Sequence, residues 1–136
     1  MNYKELEQLM NTARDKSKGK PIDNNTRLFE TDDEYHTGDN YQSLEIQLHG
    51  HAIITITLNR ESGVVCKEIR SCGYRTRTTK ARINKWAFGN DPNTKLVQVK
   101  KKWYIKQWWP VDGKPRLTEF YEGMMFNDLQ YAGGVE

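Results

Sequence analysis

Residues 44–58 read LEIQLHGHAIITITL and carry the clearest alternation of apolar and polar side chains in the chain. The apolar positions share one parity, namely Leu44, Ile46, Leu48, Ala52, Ile54, Ile56 and Leu58. The other parity is polar except for Ile53. Because successive side chains of a β-strand point to opposite faces of a sheet, this pattern predicts strand structure with one buried face.

Gly50 interrupts this pattern and raises the question of whether the segment is one strand or two. A two-residue turn at His49 and Gly50 would reverse the parity of the second half and turn its apolar residues to the wrong face. A single strand that is bent at Gly50 by a bulge or kink keeps them on one face. We therefore predict one bent strand over residues 44–58, a hairpin turn at 59–63 and an antiparallel return strand over 64–71.

The flanking sequence predicts two helices and a few further strands. Residues 3–14 place apolar side chains at helical spacing, and Gly19 and Pro21 end that helix. A second helix is predicted to begin with Thr78 or Thr79 as its N-cap. Its buried side would consist of Ile83, Trp86 and Ala87. Additional strands are predicted at residues 26–30, 95–99, 103–109 and 119–126.

The expected fold class is α+β, in which an antiparallel sheet over residues 43–126 carries an N-terminal helix (residues 1–20) and one short helix inserted mid-chain. At 136 residues the chain is large enough for one core but not two, so we expect a single domain over residues 1–136.

Composition favours a cytosolic protein. No apolar run approaches the roughly 20 residues that a membrane helix needs, and the first residues lack the apolar stretch of a secretory signal. Cys66 and Cys72 are the only cysteines. Without a secretion signal, two reduced thiols are favoured over a disulfide.

Charge is distributed unevenly along the chain. Residues 60–116 hold 15 Lys and Arg against 4 Asp and Glu, a balance of +11, whereas the remaining residues carry −8. Residues 28–59 contain no Lys or Arg at all, while carboxylates accumulate between Glu30 and Glu45. This asymmetry predicts one basic and one acidic region on the folded protein.

Residues 71–86, SCGYRTRTTKARINKW, contain the first group of candidate binding residues. In a structural interpretation, glycine and threonine shape the start of a helix and the cations are solvated. In a functional interpretation, the cations and the helix N-terminus contact phosphate, and an aromatic ring stacks on a base or sugar. The candidates are Tyr74, Arg75, Arg77, Lys80, Arg82 and Lys85.

Residues 100–109, KKKWYIKQWW, alternate cations with aromatic rings, a mixture that suits single-stranded nucleic acid. The alternative is an ordinary strand that buries Trp103 and Ile105 and presents its lysines to water. Adjacent strand residues point in opposite directions, so Trp108 or Trp109 is the tryptophan expected to be exposed. The candidates here are Lys100, Lys101, Lys102 and Trp108.

No motif nominates a catalytic or metal site. His49 and His51 could reach one metal ion as alternate residues of a strand, with a third ligand from His36, Asp39 or Glu45. The spacing selects none of the three, and a solvent-facing pair of histidines is the favoured interpretation. The acidic residues lack the compact carboxylate and lysine arrangement of a metal-dependent nuclease. We predict no cofactor and no metal, and favour a protein that is not an enzyme.

The order of these motifs resembles a family of small proteins that bacteriophage and prophage genomes encode. The resemblance lies in Leu48-His49-Gly50, in the kernel segment GYRTRTTKARIN (residues 73–84) and in Trp103-Tyr104, and it covers about residues 44–104. Members typically carry Ser-Gly-Gly where this chain has Ser71-Cys72-Gly73. The family has no assigned activity, so the resemblance implies a phage origin and a location in the host cytoplasm.

Two functions follow from the charge pattern. The first is a small phage accessory protein that binds nucleic acid through a basic face interleaved with aromatic rings. The second is a phage-encoded inhibitor of a host enzyme or defence system, whose acidic segment at residues 28–45 would engage a basic host surface.

Overall fold

The computed structural model describes residues 2–31, 40–89, 91–108 and 113–128. Within these ranges the chain forms nine strands, two α-helices and a short 3₁₀ turn at Lys16–Lys18. The helices are α1 (Tyr3–Asn11) and α2 (Arg77–Trp86). The strands are β1 (Lys20–Asp23), β2 (Thr26–Thr31), β3 (Tyr41–Leu48), β4 (His51–Asn59), β5 (Val65–Ile69), β6 (Thr94–Val99), β7 (Lys102–Trp108), β8 (Pro115–Glu119) and β9 (Met124–Asp128).

The strands form two antiparallel sheets. The large sheet has the order β1-β2-β3-β4-β5-β9, and the small sheet has the order β6-β7-β8. The described chain is therefore mainly β, and the expected α+β class with a single sheet is wrong. The sequence missed β1 and β8 because both are short and neither contains a fully buried side chain, so neither shows an apolar alternation.

The last predicted strand, at residues 119–126, is also wrong. Glu119 ends β8 in the small sheet, whereas Met124 begins β9 in the large sheet. Gly123, with a φ of 84°, lies in the turn between them, and this left-handed conformation favours glycine. Trp109, the last residue of the predicted 103–109 strand, lies outside the described residues.

The segment that decides the fold is a hairpin, not the bent strand we predicted. His49 and Gly50 form a two-residue turn with φ values of 51° and 81°, both in the left-handed region. Two successive positive φ angles are typical of the tight turns that join antiparallel strands. β3 and β4 consequently pair with each other, and β5 pairs with the far side of β4.

A β-bulge removes the parity conflict that argued against a hairpin. Ile46 pairs with Ile54 and Gln47 with Ala52, so Ile53 is an extra residue in β4. Beyond the bulge the apolar residues of β4 face the same side as those of β3. The side chains that we predicted to point inward are buried, namely Leu44, Ile46, Leu48, Ile54 and Ile56. That part of the prediction is confirmed.

Helix α1 begins with a capping box. The Asn2 side chain accepts a hydrogen bond from the Glu5 amide, and the Glu5 side chain accepts one from the Asn2 amide. The helix buries Tyr3, Leu6 and Met10, and the Tyr3 hydroxyl donates to the Gln42 carbonyl oxygen at 3.2 Å. Burying one apolar stripe fixes α1 against the large sheet.

Helix α2 begins earlier than the sequence predicted. Thr76, not Thr78 or Thr79, is the N-cap, and its hydroxyl oxygen accepts a hydrogen bond from the Thr79 amide at 3.2 Å. The buried side contains Thr79, Ile83 and Trp86. The kernel segment therefore supplies both the cap and the packing surface of this helix, as the structural interpretation required.

Asn84 attaches α2 to the small sheet. Its side-chain amide donates to the Leu96 carbonyl oxygen at 2.9 Å, and its side-chain oxygen accepts from the Leu96 amide at 2.7 Å. β6 is an edge strand of the small sheet, so these two bonds take the place of a neighbouring strand. Side chains from both helices and both sheets form one buried cluster.

Candidate functional site

Alternate residues of β7 point to opposite faces of the small sheet. Trp103 and Ile105 are only 2% and 1% exposed and face the core. Lys102 is exposed, and Tyr104, Lys106 and Trp108 are half-buried on the other face. We call this side the outer face; its residues are Lys95, Val97, Val99, Lys102, Tyr104, Lys106, Trp108, Pro115, Leu117 and Glu119.

The outer face places like charges directly opposite each other. Lys95 of β6 pairs with Lys106 of β7, and no carboxylate among the described residues forms an ion pair with either. Like charges at a directly paired position destabilise a sheet. The Lys106 ammonium lies 4.8 Å from the centre of the Trp108 ring. Because this arrangement does not serve stability, it favours a role in holding an anion.

The turn between β6 and β7 adds two further cations. Lys100 and Lys101 have φ values of 50° and 69°, a conformation that asparagine and glycine adopt more easily than lysine does. Both side chains are exposed. Two successive positive φ angles are typical of a tight turn between antiparallel strands. In this turn the two lysines extend the positive charge beyond Lys102 at one end of the outer face.

Arg75 connects the kernel segment to the small sheet. Its guanidinium carbon lies 5.1 Å from the centre of the Phe120 ring and 5.9 Å from that of Trp103. The two rings meet edge to face at 5.3 Å. Cation–π attraction of this kind stabilises a position for Arg75 while the residue stays exposed.

The other kernel candidates divide into two groups. Tyr74 and Arg77 are exposed, and Lys80 is half-buried. Arg82 and Lys85 instead turn toward β1, where both form ion pairs with Asp23, at 3.5 and 2.8 Å. Arg82 also donates to the Thr26 hydroxyl at 3.1 Å. These contacts tie α2 to the large sheet, so Arg82 and Lys85 are less available to a ligand than Arg75 and Arg77.

The ion pairs of Asp23 predict a pH-dependent stability. The hydrogen bond from Lys85 lowers the pKa of Asp23 below its ordinary value of 3.8, and the Asn24 amide and Arg82 act in the same direction. A carboxyl with a depressed pKa stabilises the fold fully above its unfolded-state pKa, and the stabilisation is lost as pH falls through the folded-state value. Asp23→Asn should therefore lower the urea midpoint at pH 7, and the difference from wild type should close below pH 3.8.

Glu7→Gln is the matched control, because no ion pair of Glu7 is present among the described residues. It should leave the urea midpoint unchanged relative to wild type, both at pH 7 and below pH 3.8. An Asp23→Asn variant that matches wild type at neutral pH would show that the Asp23 ion pairs are too solvated to matter.

A cavity of about 400 Å³ lies between the β3–β4 turn and the first turn of α2. We call it the histidine pocket; it is lined by His49, His51, Tyr74 and Thr78 over a floor of Leu48 and Ile53. The two histidines are not alternate residues of one strand, as the metal hypothesis assumed, because His49 lies in the turn. Among the described residues no group of three or more His, Cys, Asp or Glu could hold a metal ion.

Glu122 is a site-supporting residue that the sequence did not reveal. Its carboxylate accepts hydrogen bonds from the Ser71 amide, the Ser71 hydroxyl and the Cys72 amide, each at 2.8 Å. These bonds fix the start of the segment that carries Tyr74. Cys66 and Cys72 do not form a disulfide with each other. Burial raises the pKa of the Cys72 thiol above its ordinary value of 9.0, with a further contribution from the Glu122 charge.

Sequence reasoning also missed Lys95, Tyr104 and Lys106. The signal was present for β7, because residues 102, 104, 106 and 108 share one parity opposite to the buried Trp103 and Ile105. No signal in the sequence placed Lys95 opposite Lys106, since that pairing depends on the register of β6 and β7.

One protein-family model, described as Kyanoviridae Gp96 protein, matches residues 3–127. Neither a curated protein nor a solved structure is similar enough to match the chain. In the part of the chain that the structure describes, no helix is long and apolar enough to cross a membrane. The family match supports the phage origin that the resemblance implied, but it does not test the kernel motif. The chain belongs to the Kyanoviridae Gp96 family of bacteriophage proteins.

Proposed function

We propose that this phage protein binds single-stranded nucleic acid across the outer face of the small sheet. The observation that carries the proposal is the arrangement of β7, where Lys102, Tyr104, Lys106 and Trp108 alternate on one face beside Lys95. An exposed sheet with aromatic side chains offers bases a stacking surface, and neighbouring lysines follow the phosphates. Glu119 is the one carboxylate among the described outer-face residues.

The energetics of binding favour single-stranded nucleic acid over a duplex. Stacking of a base on an aromatic side chain contributes about 1–3 kcal/mol, and only unpaired bases can reach Tyr104 and Trp108 in this way. Bound phosphate would also relieve the repulsion between Lys95 and Lys106. The Lys100–Lys101 turn directly precedes the first residue of β7, so it lengthens the basic track.

Neutralising the central lysine pair tests the proposal. The variant Lys95→Gln/Lys106→Gln removes two phosphate contacts. For oligothymidylate, the slope of log affinity against log salt concentration should become shallower by about 1.4, because each contact to a single strand contributes about 0.7. At 0.1 M salt the same loss corresponds to roughly 25-fold weaker binding. Fluorescence anisotropy of a labelled oligothymidylate at several salt concentrations measures both quantities.

Lys4→Gln/Arg14→Gln is the matched control, since it removes the same charge from two exposed residues in and just after α1. Its salt slope should equal that of wild type. If wild-type protein binds neither DNA nor RNA at low salt, the proposal is wrong, and inhibition of a host protein becomes the function to test. Four of the six carboxylates in the acidic segment that would carry such inhibition lie at residues 32–39, outside the described residues.

A further inference from the structure

The histidine pocket is separate from the outer face and has its own chemistry. Its volume of about 400 Å³ lies within the range of roughly 300–1,000 Å³ that is typical of small-molecule sites. Two distant parts of the sequence form it: the β3–β4 turn supplies His49 and His51, and the kernel segment supplies Tyr74 and Thr78. The outer-face function uses none of these four side chains.

The floor and one wall of the pocket suit a flat apolar ring. Leu48 and Ile53 are 5% and 1% exposed and form the floor. Tyr74 is 54% exposed, and its ring centre lies 5.0 Å from that of His51, with a tilt of 39° between the rings. A large aromatic side chain that stays this exposed beside an apolar floor offers a planar ligand a surface for stacking.

The polar groups of the pocket suit an anion. The described residues that line it include no Asp or Glu, whereas imidazole nitrogens and the Thr78 hydroxyl can donate hydrogen bonds. Arg75 and Arg77 flank Tyr74 and Thr78 in the sequence, and both are exposed. The nearby Glu122 carboxylate is not among the residues that line the pocket, and it accepts hydrogen bonds from Ser71 and Cys72.

We propose that the histidine pocket binds a nucleoside monophosphate. The base would lie on the Leu48 and Ile53 floor against Tyr74, and the phosphate would accept hydrogen bonds from His49, His51 or Thr78. A free nucleotide is favoured over a simple anion because phosphate alone would make no apolar contact with the floor, whereas a base would. The proposal is independent of nucleic-acid binding at the outer face.

Titration with AMP and UMP, followed by amide chemical shifts in NMR spectra, tests the proposal. At millimolar nucleotide we expect shifts centred on His51, Tyr74 and Thr78, and weaker binding of adenosine or inorganic phosphate than of AMP. Tyr74→Ala should weaken AMP binding about tenfold through lost stacking. Tyr74→Phe, which keeps the ring, should bind AMP as wild type does. The exposure of Tyr74 makes both variants compatible with folding, and unchanged spectra elsewhere verify this.

The proposal is wrong if AMP and UMP leave the pocket amides unshifted, or if Tyr74→Ala binds AMP as tightly as wild type does. Equal binding of phosphate and AMP would also contradict it, because only an anion would then be recognised. The outer-face variant Lys95→Gln/Lys106→Gln should keep wild-type AMP affinity. That variant therefore separates failure of the nucleotide proposal from failure of the nucleic-acid proposal.

Discussion

Replacing Trp103 with alanine will lower the free energy of unfolding by about 3–5 kcal/mol, the usual cost of removing a large aromatic side chain from a core. Trp103 is one of the largest fully buried side chains, and its ring packs edge to face against the ring of Phe120. The substitution also removes one of the two rings beneath Arg75. Urea denaturation followed by circular dichroism measures the loss.

Trp108→Ala is the matched control, because it removes the same side chain from the opposite face of the same strand. Trp108 is half-buried, so the expected loss of stability is smaller, about 1–2 kcal/mol. It should also weaken oligothymidylate binding about tenfold, through the loss of one stacking surface. Equal destabilisation by Trp103→Ala and Trp108→Ala would show that the two faces of β7 do not differ in burial.

Replacing Asn84 with alanine will destabilise the protein by about 2 kcal/mol. The change leaves the amide and the carbonyl of Leu96 without their partners, which costs roughly 1–3 kcal/mol for each group that stays buried. Alanine recovers about 0.5 kcal/mol because it favours the helix more than asparagine does. Leu96 itself is 1% exposed, so water replaces the lost partners poorly.

Hydrogen exchange locates this effect. The Leu96 amide, which donates to Asn84 at 2.7 Å, should exchange faster in Asn84→Ala than in wild type. Asn84→Asp keeps an acceptor for that amide and should preserve more of its protection. Asn11→Ala, at the exposed end of α1, should change stability by no more than about 0.5 kcal/mol. Unchanged Leu96 exchange in Asn84→Ala would mean that other contacts hold α2 to the small sheet.

The number of cations in residues 60–116 is larger than the number available to a ligand, because several of them are buried or paired within the fold. Lys67 is buried and donates to the Ala87 carbonyl oxygen at 2.8 Å. Arg70 pairs with the buried Glu68, and Arg82 and Lys85 pair with Asp23. A charge count along the sequence cannot distinguish these residues from exposed ones, since burial and the pairing of α2 with Asp23 depend on contacts between segments that are far apart in the chain.

The β3–β4 hairpin shows where sequence reasoning succeeded and where it failed. Alternation identified the buried apolar residues Leu44, Ile46, Leu48, Ile54 and Ile56, because they follow the local period of a strand. It did not predict that Thr55 and Thr57, of the opposite parity, are buried as well. It failed on the turn because a single extra residue, Ile53, restores the parity that a two-residue turn would otherwise reverse. The left-handed conformation of His49 is a further feature that the pattern did not predict.

The sequence by itself determined the two helices, the apolar residues of β3, β4 and β7 that face the core, and a surplus of cations in residues 60–116, since each depends on local period or composition. Only the tertiary structure decided that the strands divide into two sheets, that Lys95 lies opposite Lys106, and that the His49 turn meets the start of α2 in one pocket. Those outcomes depend on strand register and on contacts between distant segments. Hydrogen bonding and core packing together select the register and the contacts, and no local sequence pattern encodes them.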